Sequence, residues 1–332
     1  MSRPFFSVVT CSYNQAQFIG ETIESVQAQG YADFEHLVVD GGSKDNSAEV
    51  CARYPHVQFI PAPGTTQAEA LNLGFARARG DIIAWLNSDD YYEPGTFTTV
   101  ARELDPARGR WIVAGAAQVV NATGGYQWLL RNGHVPFLRL LFHPRLYPLN
   151  GHMVMPCQPS VFFHRRVWET LGPLEGKLRY SMDYEYWLRA LSRGFAFHYV
   201  PQIFSNYRYH DTSHSNRGFD TFLGEWQAVS NRYYAALPPA RRALAELWWA
   251  YARLESRVVG RHKAVLQYLG REDAAAAARG PQTPHWPYQL RALLRAPWLA
   301  PQFAWYRLRG SPEQRLLADA RRRRAAAPPS AP

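Results

Sequence analysis

The sequence predicts an α/β fold built on a mostly parallel sheet with helices on both faces. Three observations indicate it. Short apolar runs alternate with segments of helical periodicity over residues 1–90, glycine or proline ends most of these segments, and 47% of the 332 residues are hydrophobic, enough for one large core. Strands that are separated by helices pair in parallel, because each crossover helix returns the chain to the same end of the sheet.

The first four strands and the helices between them follow from local sequence patterns. Apolar runs predict strands over 7–10, 36–39, 57–60 and 82–86. Two of the intervening helices begin with the spacing of a capping box, Asn14 with Gln17 and Thr66 with Glu69. The sequence therefore predicts strand–loop–helix units that repeat along this half of the chain.

The rest of the chain changes character twice. Residues 96–218 are mixed, with strands predicted over 111–120 and 160–163 and a helix that begins at Ser181 and ends at Gly194. The following segment is rich in Ala, Arg, Leu and Trp with helical periodicity, and the chain ends in RRRRAAAPPSAP. We expect a domain over 1–218 with halves at 1–100 and 101–218, a helical basic region over 219–320, and a disordered tail over 321–332.

Charge and cysteine usage restrict the class of protein. The formal net charge of +10 predicts anionic partners such as phosphates or a lipid surface. The three cysteines are widely spaced and odd in number, which argues against a disulfide framework and a zinc site and fits a reducing cytosol. No apolar run reaches the roughly 18 residues of a membrane span, and the N-terminal apolar run is interpreted as a strand and not as a signal peptide.

Polar clusters follow three of the predicted strands, where ligands collect in parallel sheets. They are TCSYN at 10–14, DGGS at 40–43 and NSDD at 87–90. The adjacent carboxylates Asp89 and Asp90 repel each other, so they either form a solvated acidic turn or share a bound cation. The glycines match neither G-x-G-x-x-G nor a P-loop, so neither of those nucleotide motifs is predicted.

Four stretches in this order resemble glycosyltransferase family 2. They are SVVTCSYNQAQFIGETIESVQAQGY, HLVVDGGSKDNS, ALNLGFARARGDIIAWLNSDDYY and QPSVFFHRRVWETLGPLEGKLRYSMDYEYWLRA, and they span about two thirds of the chain. The resemblance implies a GT-A fold, with a Rossmann-like, mostly parallel sheet, flanking helices and here a helical C-terminal extension. It also implies transfer of a sugar from a nucleotide diphosphate sugar, usually with inversion.

The resemblance assigns a nucleotide site to residues at the strand ends and on the third helix. They are Thr10, Tyr13, Asp40, Gly41, Asn72 and Asp89. Tyr13 would stack on the base, Asp40 would accept the ring N3–H of a pyrimidine, and Asp89 would reach the ribose. The alternative for Asp40 is an Asx-turn before two glycines, and for Tyr13 it is an aromatic cover over the sheet edge.

The resemblance also assigns a metal site. Asp90 would hold Mg²⁺ or Mn²⁺ against the diphosphate, because hard cations bind one or two carboxylates together with substrate phosphates. His210 would complete the metal shell and Arg208 would contact phosphate. A satisfied structural role is the alternative for this histidine.

Asp183 matches the position of the catalytic base in the family. In the first turn of its helix it would be kept ionised by the helix dipole and would take the proton of an acceptor hydroxyl. Glu185 is the alternative, but residues two apart on a helix face different directions, so Glu185 is interpreted as a surface or supporting acid.

Several functions remain open at this stage. The Q-x-x-R-W motif of processive members is absent, which favours addition of a single sugar to a glycan or lipid-linked acceptor in surface polysaccharide assembly. The donor would be of the UDP or dTDP type, and the protein would be cytoplasmic, with peripheral binding at the inner face of the plasma membrane as a further expectation. A sugar-nucleotidyltransferase and a non-catalytic basic membrane-binding protein are the alternatives, and no nucleic-acid signature is present.

The C-terminal third combines apolar and basic residues at helical spacing. For the stretch 244–258 we expect a helix packed on the catalytic domain with solvated arginines. For residues 286–324 the mixture of Leu, Trp, Phe and Arg favours an anionic membrane surface.

Overall fold

The computed structural model describes residues 6–130, 135–150, 155–211, 213, 219–254 and 312–326. The described residues up to Pro144, from 155 to Ala236 and from Leu316 onward form one compact unit, and those at 145–150 and between Leu237 and Arg315 form a second. The first unit contains the whole sheet. It extends beyond the predicted boundary at residue 218 and takes in part of the C-terminus.

The described residues contain nine strands and eleven helices of α type. The strands are β1 (Phe6–Ser12), β2 (Phe34–Asp40), β3 (Val57–Pro61), β4 (Ile82–Trp85), β5 (Tyr91–Tyr92), β6 (Ile112–Val120), β7 (Tyr126–Leu130), β8 (Val161–His164) and β9 (Phe197–Arg208). The helices are α1 (Ala16–Gln27), α2 (Ser47–Ala52), α3 (Gln67–Arg77), α4 (Thr96–Glu103), α5 (Phe137–Leu141), α6 (His143–Asn150), α7 (Arg165–Leu171), α8 (Met182–Ser192), α9 (Phe219–Ala235), the 239–254 helix and the C-terminal helix (Pro312–Ala326).

The strands form one sheet in the order β3-β2-β1-β4-β8-β6-β9-β5, with β7 paired to β6. The first four strands are parallel, and so is the long β6–β9 pair, whereas β8 runs antiparallel between β4 and β6. The predicted α/β fold with a mostly parallel sheet is confirmed. Parallel pairing of β1, β2 and β4 brings the ends of these strands to one edge.

Consecutive residues of β1 pack into cores on opposite faces of the sheet, as strand geometry requires. On one face Phe6 stacks on Phe97 of α4 with ring centroids 4.3 Å apart. On the other face α3 lies so close that a Cβ on Gly74 would stand 2.3 Å from a methyl carbon of Val9. Only glycine permits this approach, which fixes α3 beside the carboxyl end of the sheet.

One of the two predicted capping boxes is confirmed. The Thr66 hydroxyl accepts from the backbone N–H of Glu69, and the Glu69 carboxylate accepts from the backbone N–H of Thr66 at 2.8 Å. The other is wrong, because α1 begins at Ala16 without a side-chain cap. Asn14 instead has a φ of 53°, and its side chain accepts from the backbone N–H of Lys44 at 2.8 Å.

The prediction of a disordered tail from residue 321 is wrong for residues 321–326. These residues continue the C-terminal helix, whose Leu316 and Ala320 are buried against Ala116 and Ile203 of the sheet. The apolar residues that precede the four arginines therefore hold this part of the helix against the sheet. The segment 286–311, for which a membrane surface was predicted, lies outside the described residues.

The 239–254 helix differs from the expectation of a packed apolar face. Four of its large side chains, Leu244, Leu247, Tyr251 and Leu254, are 62%, 69%, 61% and 63% exposed, whereas Trp248 and Trp249 are half-buried. Its buried face is made of the small residues Ala245 and Ala252. Within the described residues no helix is long and apolar enough to cross a bilayer.

Candidate active site at the carboxyl edge of the sheet

The three polar clusters predicted at strand ends lie together. The backbone N–H of Gly41 donates to the carbonyl of Ser12 at 2.9 Å, which joins the ends of β1 and β2. The thiol of Cys11 lies 3.5 Å from Oδ1 of Asn87, which joins the end of β1 to the segment after β4. A single polar edge is formed from segments that are distant in the sequence.

Tyr13 and Asp40 form a platform between β1 and β2. The Tyr13 side chain is 58% exposed, and its ring lies against Gly41, where an added Cβ would be 3.5 Å from the ring. Asp40 is buried, and its Oδ1 accepts from the backbone N–H groups of Gly42 and Ser43 at 3.0 and 2.7 Å. The other oxygen, Oδ2, accepts only the Ser43 hydroxyl among the described residues, at 2.6 Å.

The Asx-turn weighed as the alternative for Asp40 is thus present. It does not exclude the nucleotide role, because a carboxylate oxygen accepts more than one hydrogen bond and Oδ2 keeps a free lone pair. The turn holds this oxygen rigidly beside the exposed Tyr13 ring. An exposed aromatic face next to a fixed acceptor is the arrangement that a nucleobase requires.

The Thr10 side chain does not line this platform, which corrects the prediction for this residue. Thr10 is fully buried, and its hydroxyl lies 2.9 Å from Nε2 of His36. Burial lowers the pKa of His36 to about 3, so the ring is neutral. Thr10 therefore supports the sheet beneath the site and has no side-chain group free to contact a nucleotide.

Asn72 also has a different role from the one predicted. Its Nδ2 donates to the carbonyl of Leu174 at 2.9 Å, and its Oδ1 accepts from the backbone N–H of Leu174 at 2.8 Å. Both ends of the amide are therefore used to join α3 to the loop between α7 and α8. Asn72 therefore positions this loop.

Asn87 organises the segment after β4. Its Oδ1 accepts from Trp85 Nε1 at 3.0 Å and from Gln67 Nε2 at 3.1 Å, while its Nδ2 donates to Gln158 Oε1 at 3.1 Å. Gln158 in turn donates to the backbone carbonyl of Trp85. The sequence predicted no role for either glutamine, because no local pattern indicates a contact across 71 residues.

Asp89 lies next to His210. The Nε2 atom of His210 is 3.1 Å from Oδ2 of Asp89, and the imidazole packs against the Phe18 ring at a centroid distance of 4.7 Å. Nearly all of the His210 side chain is buried, whereas Asp89 keeps 17% of its side chain exposed. The pair therefore places a carboxylate oxygen and an imidazole nitrogen close together at the polar edge.

Asp90, in contrast, points into the protein. It is 1% exposed, its Oδ1 accepts from the backbone N–H of Arg208 at 2.9 Å, and Asn87 approaches its Oδ2 at 3.4 Å. Burial, and after it the charge of Asp89, raises the pKa of Asp90 well above its usual range. The carboxylate predicted to be an exposed metal ligand is enclosed, so the geometry favours Asp89 for that role.

The turn that separates these two carboxylates is fixed by α1. The hydroxyl of Thr22 lies 2.9 Å from the carbonyl of Ser88 and 2.8 Å from the carbonyl of Asp90. Thr22 is itself buried. Because this contact fixes the backbone on both sides of Asp89, it determines which of the two acids faces outward.

The Arg208 guanidinium is occupied by groups of the protein, in contrast to its predicted contact with phosphate. Its Nε donates to the carbonyl of Asp89 at 2.9 Å, one Nη donates to the carbonyl of Ala122 at 2.6 Å, and the other Nη pairs with Glu21. Its guanidinium also lies over the Phe18 ring. The arginine holds the Asp89 backbone in place.

Asp183 and Glu185 occupy different environments on α8. Asp183 is partly buried, its Oδ1 accepts from the backbone N–H of Tyr184 at 2.7 Å, and no side chain in the described part of the chain hydrogen-bonds its carboxylate. Glu185 is buried, with Oε2 2.7 Å from Arg189 Nη2 and Oε1 accepting from the Tyr233 hydroxyl at 2.7 Å. Glu185 is therefore a supporting acid inside the protein and not on the helix surface.

Burial has a larger effect on Asp183 than the helix dipole expected from the sequence. It raises the pKa of Asp183 to about 6. The pKa of the Cys157 thiol is raised mainly by burial and, to a smaller extent, by the charges of Asp90 and Asp183. A carboxylate with a pKa just below neutrality and no side-chain hydrogen bond among the described residues suits a general base.

The residues at this edge fit a divalent cation that takes most of its ligands from phosphate. Asp89 and His210 offer one carboxylate and one imidazole, and no cluster of three or more His, Cys, Asp or Glu side chains exists among the residues that the structure describes. A two-residue site leaves coordination positions for phosphate oxygens. The mixed oxygen and nitrogen set suits Mn²⁺ better than Mg²⁺, which prefers oxygen alone.

The fold is an α/β fold of the GT-A type. Crystalline Staphylococcus aureus TarS residues 1–349 in complex with UDP-GlcNAc is similar in fold, with a TM-score of 0.56 over 73% of this chain and 70% of that one at 16% identity. An uncharacterised glycosyltransferase of Rickettsia typhi is 24% identical over 68% of this chain and 70% of its own length. A PGL/p-HBAD biosynthesis glycosyltransferase of Mycobacterium bovis is 27% identical over 58% of this chain and 72% of its own length.

Residues 7–172 match the family model described as glycosyl transferase family 2. The protein belongs to this family and is a transferase. The match contains Tyr13, Asp40 and Asp89, whereas Asp183 and His210 lie beyond its end.

Proposed function

We propose that this protein moves one sugar, with inversion, from a UDP- or dTDP-type donor to a hydroxyl group of a glycan or lipid-linked acceptor in surface polysaccharide assembly. The observation that carries the proposal is that the Asp89–His210 pair and the exposed ring of Tyr13 lie at the same edge of the sheet. Together they offer a position for a diphosphate and a position for a base on the same edge of the sheet.

The donor class is supported by the platform and by the similar protein TarS, which was crystallised with UDP-GlcNAc and with UDP. In this chain Tyr13 would stack on the base, and Oδ2 of Asp40 would accept a ring N–H. Uracil and thymine both carry that N–H, so the platform suits either pyrimidine.

Asp89 and His210 would hold Mn²⁺ or Mg²⁺. When bound, such a cation neutralises charge on a departing diphosphate. Asp90 would keep the backbone of Arg208 in place from beneath, and Arg208 would hold the carbonyl of Asp89. The side chains of Asp90 and Arg208 thus fix the orientation of Asp89.

Asp183 would remove the proton from the acceptor hydroxyl as its oxygen attacks the anomeric carbon. This role is supported by the absence of a side-chain hydrogen bond to its carboxylate among the described residues and by the raised pKa of Asp183, which make the carboxylate both accessible and basic near neutral pH. Attack from the side opposite the diphosphate would invert the configuration. The competing sugar-nucleotidyltransferase hypothesis is disfavoured by the family match.

A lipid-linked acceptor is supported by the 239–254 helix. Its exposed residues Leu244, Leu247, Tyr251 and Leu254 form one apolar stripe, and arginines lie on the same helix. In a helix that packs only within its own protein, large apolar side chains such as leucine face inward. Here the leucines face outward and the alanines face inward. An apolar stripe with arginines beside it suits an anionic bilayer surface, where a lipid-linked acceptor would present its sugar.

A donor screen tests the proposed transfer. UDP- and dTDP-sugars with Mn²⁺ should raise the thermal midpoint, because a ligand of the native state stabilises it, whereas GDP- and CMP-sugars should have much smaller effects. The donors that bind are then incubated with glycan and lipid-linked acceptors, and the anomeric configuration of any product is read by NMR. A product of retained configuration would contradict inversion, and no response to any donor would contradict the function.

The membrane hypothesis has its own test. The Leu247→Glu/Tyr251→Glu variant should lose co-sedimentation with vesicles of anionic lipid, while a Glu246→Gln variant on the same helix should retain it. Equal sedimentation of the acidic variant and the wild type would contradict a role for the stripe.

A further inference from the structure

The carboxylate of Glu93 lies inside the protein three residues after Asp90. Glu93 is fully buried, and its Oε1 accepts from Asn206 Nδ2 at 2.6 Å and from Gln118 Nε2 at 3.2 Å. Two neutral donors do not compensate the charge of a buried carboxylate, which needs a cation to be stable. The nearest cation comes from the other end of the sequence.

Arg324 of the C-terminal helix supplies this cation. Its Nε lies 2.9 Å from Oε2 of Glu93, a guanidinium Nη contacts Oε1, and the same Nη donates to Oδ1 of Asn206 at 3.1 Å. The contact joins residues that are 231 positions apart. A two-nitrogen contact of this kind has a fixed geometry, which a lysine cannot reproduce.

The helix that carries Arg324 is held by its own apolar contacts. Leu316 and Ala320 are buried against Ala116 and Ile203, with Leu129 and Leu317 packed around them. Arg323 is held to Asp319 by an ion pair at 2.8 Å. Arg324 therefore belongs to a helix that packs on the sheet, and not to an unstructured tail.

Glu93 is connected to the candidate site along two routes. Along the chain, strand β5 directly joins Asp90 to Glu93, and it pairs with β9 at Tyr91↔Asn206. Across β9, Asn206 contacts Glu93, and two residues later the backbone N–H of Arg208 donates to Asp90. Both routes end at the turn that orients Asp89.

We propose that Arg324 is a positioning residue for the donor site, which acts by neutralising Glu93 and thereby holding the Asp89–Asp90 turn. The inference rests on the proposed function, since it concerns the turn that would receive the donor diphosphate. It assigns to the C-terminal helix a role in donor binding. Without Arg324, the buried Glu93 charge draws water or shifts outward, and β5 moves with it.

The test compares Arg324→Gln with Arg321→Gln in the full-length protein. Arg321 lies on the same helix and is exposed, so its substitution controls for the change of net charge. Affinity for UDP with Mn²⁺ is measured by calorimetry, the KM for the donor by kinetics, and stability by the thermal midpoint. Arg324→Gln should weaken UDP binding in Mn²⁺ by roughly 10- to 100-fold, as loss of an orienting partner does at metal sites.

A double variant separates positioning from simple loss of a contact. Glu93→Gln/Arg324→Gln has no buried charge to neutralise, so it should recover most of the affinity and the thermal midpoint that the single Arg324→Gln variant loses. Arg321→Gln should behave as the wild type throughout.

Two results would overturn the inference. One is an Arg324→Gln variant with a lower midpoint but unchanged UDP affinity and donor KM, which would make the helix a stabilising element only. The other is an Arg324→Gln variant indistinguishable from Arg321→Gln. If the wild type itself bound no nucleotide diphosphate, the proposed function would fail with it, a result distinct from either of these.

Discussion

His210 and Asp89 are separated by 121 residues in the sequence and by 3.1 Å in space. Strand β9 brings the histidine to the turn after β4, because β9 pairs with β5, which continues from that turn. The pair brings an imidazole nitrogen and a partly exposed carboxylate oxygen to the polar edge of the sheet.

Replacing Asp90 by Ala should destabilise the protein, whereas replacing an exposed acid would have little effect on stability. The backbone N–H of Arg208 would lose its acceptor inside the protein, at a cost of about 1–3 kcal/mol in the free energy of unfolding. Asp89→Ala should cost much less, since Asp89 is more exposed. Urea denaturation measures both variants, and equal stability of the two would contradict the buried orientation of Asp90.

Replacing Asp183 by Asn should abolish turnover and preserve donor binding. The variant keeps the shape of the side chain but has no base, so kcat should fall by roughly 10²–10⁴-fold. Calorimetry with UDP and Mn²⁺ should give the wild-type affinity. Glu185→Gln is the matched comparison, and it should lose stability because Glu185 binds Arg189 and Tyr233. A dead Glu185→Gln variant with native stability would reverse the two assignments.

The pH dependence of the reaction should follow the ionisation of the Asp183 carboxylate. Its pKa of about 6 requires kcat/KM to fall roughly tenfold per pH unit below pH 6, because the base must be ionised to accept a proton. The measurement is a series of initial rates between pH 5 and pH 8. A rate that stays constant down to pH 5 would exclude Asp183 as the base.

The same carboxylate should reduce stability at neutral pH. Its pKa is raised from 3.8 in the unfolded chain to about 6 in the folded protein, so the folded state is favoured when Asp183 is protonated. That contribution is complete below pH 3.8 and is lost as the pH rises through 6. Asp183→Asn should therefore be more stable than the wild type at pH 8, by an amount on the order of 3 kcal/mol at most, and should match it near pH 4. A variant that is less stable at pH 8 would contradict the raised pKa.

Asn72→Ala distinguishes a loop anchor from a nucleotide ligand. The two hydrogen bonds to the backbone of Leu174 would be lost, and the free energy of unfolding should fall by about 1–3 kcal/mol. UDP affinity should stay within about twofold of the wild type, since both the nitrogen and the oxygen of the Asn72 amide bind the backbone of Leu174. A strong loss of UDP affinity at native stability would restore the nucleotide role.

The sequence was sufficient to predict that the ends of these strands lie at one edge of the sheet. The alternation of apolar runs and amphipathic helices predicts parallel pairing, and parallel pairing alone brings Tyr13, Asp40 and Asp89 to one edge. The capping box at Thr66 was predictable for the same reason, because both of its partners lie within four residues.

The roles of Asp89 and Asp90 were not predictable in this way. Which acid faces outward depends on the contact of Thr22 with the carbonyls of Ser88 and Asp90, 66 and 68 residues away. Asn72 and Arg208 have residue types that suit a nucleotide, and only their tertiary partners show that both side chains are occupied. The order of residues 321–326 was not predicted because Glu93, the partner of Arg324, lies 231 residues away and gives no signal near the C-terminus.

The most direct test of the account is calorimetric titration of UDP into the wild type, Asp89→Asn and His210→Ala, each with Mn²⁺ and with EDTA. Asp33→Asn is the control, because Asp33 is an exposed acid at the amino end of β2. We expect tight binding only for the wild type and the control, and only with Mn²⁺, since under the proposed function the cation would join the Asp89–His210 pair to the diphosphate. Binding of equal affinity in EDTA, or in the Asp89→Asn variant with Mn²⁺, would contradict the account.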